Sequence, residues 1–113
     1  MNVSFNGFNE TALTFRCNDE ISKLYPVKIS DDATVAKCNS GDNFIGFCLD
    51  SDLENTTVQM SGYVKTTYSD TVPTLGITKL VANASGGVKT NASGRACTVL
   101  AVNSTDSTVE FLF

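Results

Sequence analysis

The sequence predicts an all-β fold: a small barrel or sandwich of seven to nine short strands with a duplicated hairpin. Three observations carry that expectation. Apolar and polar residues alternate in runs of four to eleven, as in Val58-Gln59-Met60-Ser61-Gly62-Tyr63-Val64. No window of ten or more residues holds apolar positions at helical spacing. Threonine (14) and serine (11) are abundant, and they favour strands and turns respectively.

Residues 1–10 (MNVSFNGFNE) read as a polar arm with an Asn6-Gly7 turn signal, ahead of a single β domain over 11–113. Thr11–Cys17 alternates Leu13, Phe15 and Cys17 against Ala12, Thr14 and Arg16, which predicts a strand. Ile21–Leu24 reads as one helical turn. Tyr25–Ile29 is a strand opening at Pro26, since proline cannot donate to a ladder interior. Ser30–Ala33 is a turn, Thr34–Lys37 a short strand, and Cys38–Asn43 a second turn. Strands are expected over Phe44–Leu49 and Thr56–Thr66, joined by the acidic loop 50–55. After an irregular loop over Ser69–Gly76 come strands at Ile77–Ala82, Val88–Thr90, Ala96–Val102 and Thr108–Phe113. Gly86-Gly87 suits a tight hairpin between two of them.

The central hairpin returns at the C-terminus. Ile45, Phe47 and Leu49 match Thr98, Leu100 and Val102 without a gap. Val58 and Met60 match Val109 and Phe111 after a two-residue deletion in the loop, and upstream Val35 matches Val88. Two copies of one unit predict a pseudo-symmetric sheet or barrel, with Phe47 and Leu100 both in the core.

Composition narrows the function. A net charge of −4 with eight Lys and Arg leaves no basic stripe for nucleic acid. No run approaches the ~20 apolar residues of a membrane-spanning helix. Cys17, Cys38, Cys48 and Cys97 include no CxxC pair, and no basic-then-apolar leader precedes them. Free, buried thiols and a cytosolic origin are the expectation. Histidine is absent, which removes His-based triads and most zinc sites. Asp50, Asp52 and Glu54 alternate along one loop but lack the glycine and terminal glutamate of a calcium loop, so they read as a solvated turn. The acids Asp31, Asp32, Asp50 and Asp70 all sit beside turn residues. Six Asn-x-Ser/Thr sequons follow from the turn-rich composition. No catalytic residue, cofactor site or metal site is expected.

The order of motifs resembles the small head-decoration, or capsid cement, proteins of tailed bacteriophages and prophages. The resemblance rests on Pro26–Ile29, Gly41–Asp50, Thr57–Val64 and the shorter second version over Gly94–Phe111, and it covers roughly Tyr25 to Phe113. It implies a non-enzymatic, compact β protein of the virion, assembled in the bacterial host cytoplasm. It further implies a homotrimer bound to the major capsid protein of an assembled head. Under that reading the arm and the 69–76 loop are the contact elements, with Phe5, Phe8, Val72 and Leu75 as partner-contacting residues. Packing of Phe5 and Phe8 on the domain is the other reading of the arm. Two alternatives remain. One is a secreted or surface β-sandwich module binding carbohydrate or a cell-surface ligand, with Tyr63 and Tyr68 stacking on sugars. The other is a small carboxylate enzyme.

Overall fold

The computed structural model describes residues 11–83 and 85–113. They form ten strands and no helix: β1 (Thr11–Cys17), β2 (Pro26–Asp31), β3 (Thr34–Lys37), β4 (Gly46–Ser51), β5 (Asn55–Ser61), β6 (Tyr63–Thr67), β7 (Gly76–Ala82), β8 (Val88–Thr90), β9 (Arg95–Asn103) and β10 (Thr108–Leu112). The all-β class stands. The expected Thr56–Thr66 strand is two strands, because Gly62 interrupts it at φ 115°, a backbone region that glycine enters at little cost. β5 stays in the first sheet and β6 begins the second. The expected helical turn at Ile21–Leu24 is also corrected. Ile21 drops into the core and donates its N–H to Ser51 Oγ at 3.0 Å, and the chain turns at Lys23–Leu24 with Leu24 at φ 67°.

The first sheet is a closed barrel in the order β3-β2-β4-β5-β1, with β1 returning parallel to β3 through Arg16↔Thr34 and Cys17↔Val35. The second repeats this order as β8-β7-β9-β10-β6. Its edges meet at a single parallel bridge, Tyr68↔Val88, the counterpart of Cys17↔Val35. The duplication therefore extends from one hairpin to all ten strands. The pairs Val27↔Lys37, Lys28↔Ala36 and Ile29↔Val35 recur at one constant offset as Leu80↔Thr90, Val81↔Lys89 and Ala82↔Val88. Leu13↔Val58 recurs as Val64↔Phe111. The hydrogen bond from Cys17 N to Glu54 O (3.0 Å) recurs as Tyr68 N to Ser107 O (3.0 Å).

The match of β4 with β9 needs correction by two residues. In β4 the register shifts between Cys48↔Val58 and Asp50↔Thr57, so Leu49 is the extra residue of a bulge. In β9 the shift lies between Val99↔Phe111 and Ala101↔Glu110, which makes Leu100 the extra residue. Leu100 therefore pairs structurally with Leu49, and it is half-buried rather than in the core. Cys48 corresponds to Val99, and both are buried. Both copies carry the bulge at the same place, so the slip arises elsewhere: Lys37 to Cys48 spans 11 positions and its counterpart Thr90 to Val99 spans 9, and an offset of two keeps the period-2 alternation. The same pairings make Phe111, not Val109, the counterpart of Val58.

Two cores result. Cys17, Ile21, Val27, Val35, Cys48 and Val58 fill the first barrel. Val64, Tyr68, Leu80, Ala82, Val88, Cys97, Val99, Val109 and Phe111 form the core of the second sheet, and Cys38, Phe44 and Phe47 of the first half join them. Phe47 lies 4.9 Å from Phe44, 5.9 Å from Phe111 and 5.3 Å from Phe113 between ring centroids. Beside this cluster Arg95 donates to Ile45 O (2.9 Å), and its guanidinium carbon lies 4.9 Å from the Phe113 ring centroid. The loop over 38–45 completes the joint. Gly41 N donates to Ala82 O (2.8 Å) and Ala82 N donates to Asp42 O (2.9 Å). Asp42 also accepts from Lys28 Nζ (2.7 Å) and Asn39 N (2.8 Å), which holds its carboxyl below the usual range.

All four cysteines are free and buried, as expected. Burial pushes the Cys38 thiol up to about 12 and the Cys97 thiol up to about 11, so both stay protonated at neutral pH. Iodoacetamide at pH 8 is expected to leave both unlabelled in the folded protein and to label all four cysteines in urea, read by intact mass. Labelling of folded Cys38 or Cys97 at the rate of a free thiol would contradict this packing.

Candidate partner-binding surface

The loop between β6 and β7 and the start of β7 carry three of the seven large hydrophobic side chains that are exposed among the described residues. Val72 is 50%, Leu75 64% and Ile77 75% exposed. The loop is anchored at both ends and in the middle. Ser69 N donates to Val88 O (3.0 Å), and Lys89 Nζ reaches Asp70 at 4.0 Å. Pro73 is buried, Thr78 Oγ1 donates to Thr74 O (2.7 Å), and Gly76 turns the chain into β7 at φ 92°. A loop tied down in this way presents its side chains with little ordering entropy left to lose on binding. Val72 and Leu75 thus lie on the surface as the sequence led one to expect. Ile77 was missed: its alternate face of β7 also carries the buried Val81, so alternation did not mark it as outward-facing. Phe5 and Phe8 lie outside the described residues.

The acidic side chains do other work. Asp52 Oδ1 accepts from Glu54 N and Asn55 N, both at 2.8 Å, and these bonds lower its pKa. Asn103 makes the same kind of turn in the second hairpin, accepting from Thr105 N (3.0 Å) and Asp106 N (3.1 Å). Asp50 accepts from Ser51 N at 3.0 Å, and Asp70 faces Lys89. Asp31, Asp32 and Glu54 line an open depression of about 610 Å³ together with Arg16. The structure therefore brings Asp31 and Asp32 together and leaves Asp50 and Asp70 apart from them. Among the described residues no group of three or more His, Cys, Asp or Glu side chains converges on a metal position.

The tyrosines do not form an exposed platform. Tyr68 is 9% exposed and bridges the edges of the second sheet through Val88. The Tyr63 hydroxyl donates to Glu110, and burial and that contact push its pKa up to about 12. Stacking of a sugar on this pair is thereby corrected, since tertiary closure hides one ring. Asn83, the acceptor of one sequon, is buried. Its amide donates to Ser69 Oγ and Val88 O while its oxygen accepts from Ser85 N and Gly87 N. That side chain serves the turn.

No family model matches the chain, and no curated protein matches it.

Proposed function

We propose that the chain is a non-enzymatic structural protein that binds the major capsid protein on an assembled bacteriophage head, as a homotrimer, and stabilises that head. The observation that carries the reading is three exposed apolar side chains within six positions, Val72, Leu75 and Ile77, on an anchored loop and the start of β7. Exposed apolar patches mark interaction surfaces. The sequence resemblance to capsid cement proteins, over Pro26–Ile29, Gly41–Asp50, Thr57–Val64 and Gly94–Phe111, supplies the class of partner. Many copies on a symmetric lattice make weak single contacts sufficient.

The test is co-sedimentation with heads assembled from a major capsid protein encoded beside this chain. Leu75→Asp and Ile77→Asp are each expected to weaken binding at least tenfold, since each places a charge in a desolvated contact. Undiminished binding by both variants would remove the loop from the interface. Light scattering at three times the 12.0 kDa chain mass is the expected oligomeric state. A monomer at working concentration would remove the trimer.

A further inference from the structure

The repeat keeps a carboxylate in both halves and a lysine in only one. Ala36 holds the place of Lys89, because Lys28↔Ala36 recurs as Val81↔Lys89. The bridge Cys17↔Val35 recurs as Tyr68↔Val88, so two residues further on Asp19 holds the place of Asp70. In the second half the Lys89 side chain is 23% exposed, and its ammonium donates to Ser40 Oγ at 2.9 Å and meets Asp70 at 4.0 Å. In the first half Ala36 ends at its methyl group, and a cavity of about 310 Å³ lies beside it. Ile21, Val35 and Ala36 give this cavity apolar walls, with Ile21 and Val35 buried. The exposed Asp19, Glu20 and Lys37 line it as well. Asp19 and Ala36 therefore share one cavity, and their equivalence to Asp70 and Lys89 holds in space as well as along the chain. Among the described residues neither the Asp19 nor the Glu20 carboxylate takes part in an ion pair.

We infer that this cavity binds a primary alkylammonium ion, with the ammonium against Asp19 and Glu20 and the carbon chain over Ile21, Val35 and Ala36. The second half supplies the template, since Lys89 is such a group held by its own backbone. Two carboxylates against the one Lys37 ammonium leave the rim net negative, which favours a cation. An ammonium donates charge-assisted hydrogen bonds to carboxylates, and the chain leaves water against an apolar wall. The volume is at the small end of ligand pockets, about 300–1,000 Å³, which suits a single unbranched chain. The group belongs either to a free amine or to a lysine side chain of another polypeptide. The inference does not rest on the capsid reading.

The experiment is an amide NMR titration of the full chain with n-butylammonium, which reproduces the Lys89 side chain beyond its Cα. The Ile21, Val35 and Ala36 amides are expected to shift and saturate with a Kd of about 1 mM, while those of Val99 and Val109 stay in place. Butan-1-ol has the same chain without the charge and is expected to bind at least about fivefold more weakly. Asp19→Asn/Glu20→Gln changes two exposed side chains and is expected to weaken n-butylammonium by a similar factor. Ala36→Lys restores the arrangement of the second half and is expected to abolish binding. Should Ala36→Lys not fold, the Asp19→Asn/Glu20→Gln variant reads the same site. N-acetyl-lysine methylamide separates the two sources: binding as tight as n-butylammonium assigns a polypeptide lysine, and its exclusion assigns a free amine. No saturable shift up to about 20 mM would overturn the inference. Equal affinity for butan-1-ol, or unchanged affinity in the folded Asp19→Asn/Glu20→Gln variant, would overturn it too.

Discussion

Phe47→Ala is expected to destabilise the protein by about 3–5 kcal/mol, the range for truncating a fully buried phenylalanine. Phe47 has no exposed surface and projects from the first barrel into the core of the second sheet. Its ring meets Phe44, Phe111 and Phe113 at centroid distances of 4.9–5.9 Å. Removing it opens a cavity at the joint, where both halves are rigid sheets and neither can collapse inward. Domains of this size are stable by only about 5–15 kcal/mol, so the loss is a large share of the total. Urea unfolding measured by circular dichroism gives the value. A change below about 1 kcal/mol would show that the aromatic cluster does not couple the halves. Phe113→Ala is the internal comparison and is expected to cost less, because Phe113 is only partly buried.

Gly46→Ala should cost about 3 kcal/mol, at the upper end of the usual range for overpacking. A Cβ at this position would lie 2.0 Å from Gln59 O and 2.8 Å from Val58 Cγ1. The nearer obstacle is backbone, which cannot rotate away. Relief requires β4 and β5 to part beside the Phe47↔Gln59 pair, which would weaken the joint as well. Gly41→Ala separates strain from clash: a Cβ there meets nothing within 4 Å, but φ is 88°. Its expected cost is about 1–2 kcal/mol from the left-handed backbone alone. Equal unfolding midpoints for Gly46→Ala and Gly41→Ala would contradict the close approach of β4 to β5.

Much of the fold was legible in local patterns. Thr11–Cys17, Thr34–Lys37 and Val88–Thr90 are strands with the boundaries that alternation predicts. Pro26 opens its strand, as a residue without an N–H should. The repeat was visible in Val35 and Val88, which hold equivalent positions in the two hairpins. The hairpin copies were misaligned because the two-residue length difference lies between β3 and β4 against β8 and β9, not in the hairpin loop. Hydropathy alone does not reveal a slip of two, which leaves the alternation intact. At the candidate surface, Val72 and Leu75 were legible as apolar residues in a turn-rich loop. Ile77 was not, because a strand isoleucine reads as core until the sheet shows which face is covered.

The order and type of the strands, the turn residues and the tandem repeat follow from the chain alone, because each depends on neighbours within a few positions. Tertiary structure decided which neighbours across the fold each face meets. Gly62 lets one apparent strand serve two sheets, Tyr68 bridges two sheet edges rather than forming a platform, and Phe47 leaves its own barrel to fill the core of the second sheet. These outcomes depend on how the barrel and the second sheet pack against each other, and alternation along a strand gives a side chain's face but not what will cover it.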